Sequence, residues 1–164
     1  MRSYQVFAGL SPERTTELLR TLSEKAPAIF AQALGAACVA LRARPVYLQR
    51  QPFEKRAQAI RRALARVAAD PVAAEVLAVY FLECRKELLV EWLDLLGLAH
   101  KEGILEADAP PAPPDAKLRE AVEKYLAAGD DPDRRLLLQA FAAQEAIEWP
   151  ALDALLAAGE APPA

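Results

Sequence analysis

Proline constrains this chain more than any other residue, because its ring locks φ and it has no N–H to donate, so a helix tolerates it in the first turn and not within. The pairs Ser11-Pro12, Ala26-Pro27, Gln51-Pro52, Asp70-Pro71, Asp131-Pro132 and Trp149-Pro150 each precede a run of helix-forming residues. Ser11-Pro12-Glu13 joins an N-cap hydroxyl, a proline at the first helical position and an acid facing the positive helix end. That signature predicts a first helix over Pro12–Lys25 with Leu18, Leu19 and Leu22 inward. A second helix is expected from Pro27 to about Arg44, with Ala31, Gly35, Ala36 and Ala37 as a thin face that another backbone can approach closely. Pro45 ends it, and residues 46–51 read as a short helical turn or an irregular link.

The third helix, expected over about Pro52–Ala69, is amphipathic at the hundred-degree period. Phe53, Ala57, Ile60, Leu64 and Val67 fall on one side, and Lys55, Arg62 and Arg66 on the other. Asp70-Pro71 then opens the longest element, about Pro71–Leu96, ended by Gly97 as a left-handed cap. At 1.5 Å per residue it is roughly 40 Å long. Leu77, Phe81, Cys84, Leu88, Trp92 and Leu95 make one stripe, and Leu82, Leu89, Leu93 and Leu96 widen it enough to be central to a core.

Beyond Gly97, residues 98–105 read as a small hairpin with Gly103 near its turn, or as a single helical turn. Residues 106–114 hold four prolines and read as an extended spacer. Three shorter helices follow: Asp115 to about Ala128 closed by Gly129, Asp131-Pro132 to about Ala146, and one from Trp149-Pro150 that ends before Gly159. The expected organisation is a single domain. It has a main helical bundle over 1–105, a spacer over 106–114, and a C-terminal helical appendage over 115–159 docked on the bundle.

Composition supports the same class. Of 164 residues, 36 are alanine and 25 leucine, asparagine is absent, and the nine valines, four isoleucines and three threonines are too scattered to fill a sheet. The expected fold is all-α, a multi-helix bundle around one long central helix. Cys38 and Cys84 sit among apolar helical neighbours and read as free, buried thiols, which suits a reducing compartment. The N-terminus has no continuous apolar run of the secretory kind, and Ala26–Leu41 is shorter than the roughly 20 apolar residues that span a bilayer. A cytoplasmic chain without membrane association is expected, and its Ala, Arg, Leu and Pro usage suits a GC-rich bacterial genome.

The residues for catalysis are scarce. All six serines and threonines precede residue 24, and His100 is the only histidine. His100 lies in the turn region with no nucleophile near it in sequence, and Cys84 belongs to the buried stripe. Glu83, Glu87, Glu91 and Asp94 form an acidic ridge, but no Glu-x-x-His pair accompanies it, so it reads as a solvated or ion-paired face. No Gly-rich phosphate loop occurs. The expectation is therefore no enzyme, no catalytic or metal site and no cofactor.

Charge is unevenly distributed. Residues 1–70 carry 12 basic and 5 acidic side chains, whereas residues 71–164 carry 8 and 18. Residues 42–66 hold eight cations against one acid, Glu54. Arg42, Arg44, Arg50, Lys55, Arg62 and Arg66 form the candidate interaction patch. The expected function is a noncatalytic helical interaction or structural module that self-associates or binds a protein. Nucleic-acid or phosphoryl-ligand binding through 42–66, with Tyr47 and Phe53 interleaved, is one alternative. A small apolar ligand between helices, bordered by the face around Gly35, is another.

Overall fold

The structure, a computed structural model, describes residues 1–158. The expected stop at Gly159, and with it the last residue of the 115–159 appendage, lies outside them. The fold is all-α, with ten α-helices and one two-stranded hairpin among the described residues. No helix among them is long and apolar enough to cross a membrane. The chain divides into two compact units between Cys84 and Arg85, the second of which includes Met1.

The first unit comprises α1 (Ser3–Gly9), α2 (Pro12–Lys25), α3 (Pro27–Leu41), α4 (Pro45–Gln49), α5 (Phe53–Leu64), a 3-10 turn (Val67–Ala69), α6 (Asp70–Val79) and a π turn (Tyr80–Cys84). Helix α2 begins as its sequence requires: Arg14 N–H donates to Ser11 Oγ at 3.2 Å, and Pro12 occupies the first turn. Leu18, Leu19 and Leu22 are buried. Helix α1 was not foreseen, because it lacks a proline or hydroxyl start. Its Phe7 is fully buried, and its Tyr4 N–H donates to Asp70 Oδ1 at 2.9 Å. The carboxylate that reads as a cap for the next helix thus serves an N–H of a helix 66 residues away.

Helix α3 packs on α2, α5 and α6 through Ile29, Phe30, Ala33, Leu34, Ala37 and Cys38. The thin face expected around Gly35 is corrected in part. Ala37 is buried, but Ala31 and Gly35 face solvent, and a Cβ at Gly35 would meet nothing within 4 Å. Almost every residue of this helix is apolar or small, so its periodicity cannot select a face. Helix α5 buries Ala57, Ile60 and Leu64 as expected, but it stops there. Arg66 is extended (φ −101°, ψ 143°), which takes Val67 off the helical phase and leaves it 70% exposed instead of in the core.

The single helix expected over Pro71–Leu96 is interrupted. After α6 the backbone widens into the π turn, and Arg85 (φ −135°, ψ 40°) breaks the helical path before α7 (Lys86–Leu96) begins. Leu77, Phe81, Cys84, Leu88 and Trp92 are nevertheless buried, in two different units. No glycine or proline lies between Pro71 and Gly97 to announce the break.

The second unit holds α7, strands β1 (His100–Lys101) and β2 (Ile104–Leu105), α8 (Asp115–Ala127), α9 (Pro132–Ala142) and α10 (Pro150–Ala158). The hairpin reading of residues 98–105 holds: His100 pairs with Leu105 across a turn in which Glu102 (φ 53°) and Gly103 (φ 91°) both have positive φ. Gly97 (φ 70°) ends α7, and Lys117 Nζ donates to Leu96 O at 3.0 Å. The core is a series of rings: Trp92 lies 5.4 Å from Tyr125 and 5.9 Å from Phe141, and Phe141 lies 5.4 Å from Trp149. Trp149 Nε1 donates to Pro110 O at 3.1 Å, so the 106–114 stretch is pinned at a buried Pro110 and is not free along its whole length.

Candidate interaction surface

The eight cations of residues 42–66 fall into two groups. Arg56 and Arg61 turn inward. Arg56 lies over the Phe53 and Phe30 rings at 5.2 and 6.0 Å, and Arg61 donates to the carbonyls of Leu10 (2.8 Å) and Ala8 (3.3 Å). Arg42, Arg44, Arg50, Lys55, Arg62 and Arg66 are exposed. They are set by the ends of elements: Arg42 closes α3, Arg44 and Arg50 flank α4, and Arg66 follows α5. Lys55 and Arg62, seven residues apart, share one face of α5, and Arg66 follows the helix in extended conformation. Arg66 Nη1 donates to Ala40 O at 3.3 Å, which brings the end of α5 to the end of α3. Glu54 does not neutralise this group. Its own backbone N–H holds its pKa below the ordinary carboxylate value; burial opposes this, and Arg20 (Nη2 at 3.1 Å) and then Arg56 lower it further.

An apolar component, missed in the sequence, shares the surface. Among the described residues seven large apolar side chains are exposed, and five of them, Val39, Leu41, Val46, Tyr47 and Val67, lie between residues 39 and 67. Their exposure runs from 41% at Leu41 to 80% at Val39. Val39 was not legible, because α3 is apolar or small almost throughout and its periodicity selects no face. Nor was Val67, because it required knowing that α5 stops at Leu64.

Backbone geometry marks the same place. Arg42 occupies the left-handed region (φ 51°, ψ 36°), where glycine is the favoured residue. Only Glu102 shares that property among the described non-glycine residues.

The other candidates of the sequence resolve into structural roles. Gly103 N–H donates to His100 Nδ1 at 3.2 Å, so Nε2 carries the proton and donates to Asp94 Oδ1 at 3.1 Å. Both ring nitrogens hold the hairpin. The acidic ridge is ion-paired along most of its length. Glu91 makes a bidentate contact with Arg134 (2.8 and 2.9 Å), and Glu87 receives Arg85 Nε at 2.9 Å. Arg85 also binds Asp131 and the buried Asp133. Burial works against its charge, but the hydrogen bonds to Asp131 and Glu87 and the attraction of Asp133 outweigh it and raise the pKa. Cys38 and Cys84 are free and buried, and burial raises the Cys84 thiol pKa, with Lys25 opposing and Glu83 reinforcing. No cluster of three or more His, Cys, Asp or Glu able to hold a metal occurs among the described residues. The chain matches no known protein family, no curated protein and no solved structure.

Proposed function

We propose that the chain is a noncatalytic, self-associating helical interaction module of a reducing, cytoplasmic compartment, and that its contact surface is the basic and apolar face over residues 39–67. One observation carries this reading: of the seven large apolar side chains exposed among the described residues, five fall in the same stretch, residues 39–67, as six exposed cations. Apolar side chains with aromatic and arginine neighbours are the composition that protein interfaces favour. A nucleic-acid partner accounts for the cations and for Tyr47 but leaves Val39, Val46 and Val67 in water. An apolar ligand beside Gly35 has little to draw on, since that face is open to solvent. The left-handed Arg42 adds support, because a side chain held where glycine fits better is a local cost that function can maintain.

Light scattering over a concentration series tests the reading. The expected result is association that grows with concentration and weakens by about tenfold or more in Arg62→Glu/Arg66→Glu. A chain that stays monomeric at high concentration would overturn it.

A further inference from the structure

A second copy cannot meet this face with the same face. Six exposed cations stand on residues 42–66 against one acid, Glu54, and an isologous contact would set like charges opposite one another. The complementary surface must be acidic and partly apolar, and the chain itself carries one in the unit that begins at Arg85. That unit has 8 basic side chains against 16 acidic ones, whereas the Arg2–Cys84 unit has 12 against 7. Within it Ile104, on the second hairpin strand, is 64% exposed. Glu106 and Asp108 beside it in the chain are exposed as well, as is Glu102, which pairs with Lys86 Nζ at 3.1 Å; Lys101 is the one exposed cation within residues 100–112.

The same segment runs into an open hollow of about 400 Å³, lined in part by Pro110, Pro111 and Trp149 together with Glu145 and Glu148. Glu145 and Glu148 are exposed there and extend the acidic surface of residues 102–108, whereas Trp149 is 3% exposed and belongs to the core. The alternative acidic element, α8, is less suitable: Asp115, Glu120 and Glu123 are balanced there by Lys117, Arg119 and Lys124.

We infer that copies of this chain associate head to tail, the basic and apolar face over 39–67 of one copy receiving the acidic hairpin and Pro-rich segment over 102–112 of the next. The inference rests on the self-association proposed above and adds its mode. A heterologous contact leaves one unused face at each end, so the assembly lengthens or closes into a ring.

Mixing two defective chains tests it. Arg62→Glu/Arg66→Glu removes the basic face, and Glu106→Gln/Asp108→Asn neutralises the acidic one without creating a charge that could pair with the introduced glutamates. All four positions are exposed, and circular dichroism checks that both variants fold. Each variant alone should lose self-association by about tenfold or more. An equimolar mixture should form a species of two chains and nothing larger, because one intact face remains on each. If the wild type associates while the mixture stays monomeric, or if either variant alone assembles as the wild type does, the head-to-tail mode is overturned and self-association stands. A monomeric wild type overturns both.

Discussion

Arg42 sets stability against association at one residue. A non-glycine residue in the left-handed region costs about 1–2 kcal/mol, and Arg42 sits there at φ 51° on the proposed contact face. Arg42→Gly is expected to raise the unfolding free energy by about 1 kcal/mol in urea titration while weakening self-association. A gain in stability without loss of association would show that its side chain has no part in the contact. Arg85 presents the opposite case. Its guanidinium serves Asp131, Glu87 and Asp133, and the Asp133 side chain is 3% exposed. Arg85→Ala takes the paired cation away from a buried carboxylate and should cost about 3 kcal/mol, with Arg85→Lys recovering only part because an ammonium cannot reproduce the planar fork. Cys84 tests burial directly. Cys38 is buried as well, so a thiol-reactive chromophore should label neither cysteine in the native chain and both after unfolding.

Helix starts are legible in this sequence because a cap is a local event. Ser11, Pro12 and Glu13 act within one turn, and the negative charge of Glu13 there has a pH signature. Its own backbone N–H, then Ser11, lower its pKa from 4.5, with burial opposing slightly and Arg61 adding a small further lowering. Glu54 near the start of α5 is lowered in the same way. Because both folded values lie below the unfolded ones, their stabilisation is complete above pH 4.5 and is lost as pH falls through the folded values. Glu13→Gln/Glu54→Gln should therefore melt below the wild type at neutral pH, and the gap should close in acid. The break between α6 and α7 was not legible for the converse reason. Arg85 is held by carboxylates 46 and 48 residues away, and no local propensity encodes such partners. The same holds for Asp70, whose cap function passes to α1. The hairpin lay between the two cases: Gly103 pointed to a turn, and its φ of 91° confirms why glycine stands there. Gly103→Ala should cost about 1–2 kcal/mol in chemical denaturation. For the contact surface the cations were legible and their apolar neighbours were not, since α3 has almost no polar residues to set Val39 apart and the exposure of Val67 depends on where α5 ends.

At the scale of the whole molecule, a net charge of −3 conceals a basic unit and an acidic one. An association built from those charges and from apolar side chains has two separable contributions, and salt tells them apart. Exposed charges are screened over about 10 Å at 0.1 M ionic strength, whereas apolar burial is strengthened or unchanged by added salt. Self-association of the wild type, followed by sedimentation equilibrium across a salt series, should weaken with salt to a plateau above zero. Val46→Ser/Tyr47→Ser should lower the affinity at every salt concentration and leave the slope intact, because it removes area and no charge. Arg62→Glu/Arg66→Glu should flatten or reverse the slope, because it replaces attraction by repulsion. If instead both variants change the slope alike, the cations and the apolar side chains do not contribute independently to the contact. A dependence that falls steeply with no plateau would mark a polyanion as the better partner, since counterion release from nucleic acid has no apolar remainder.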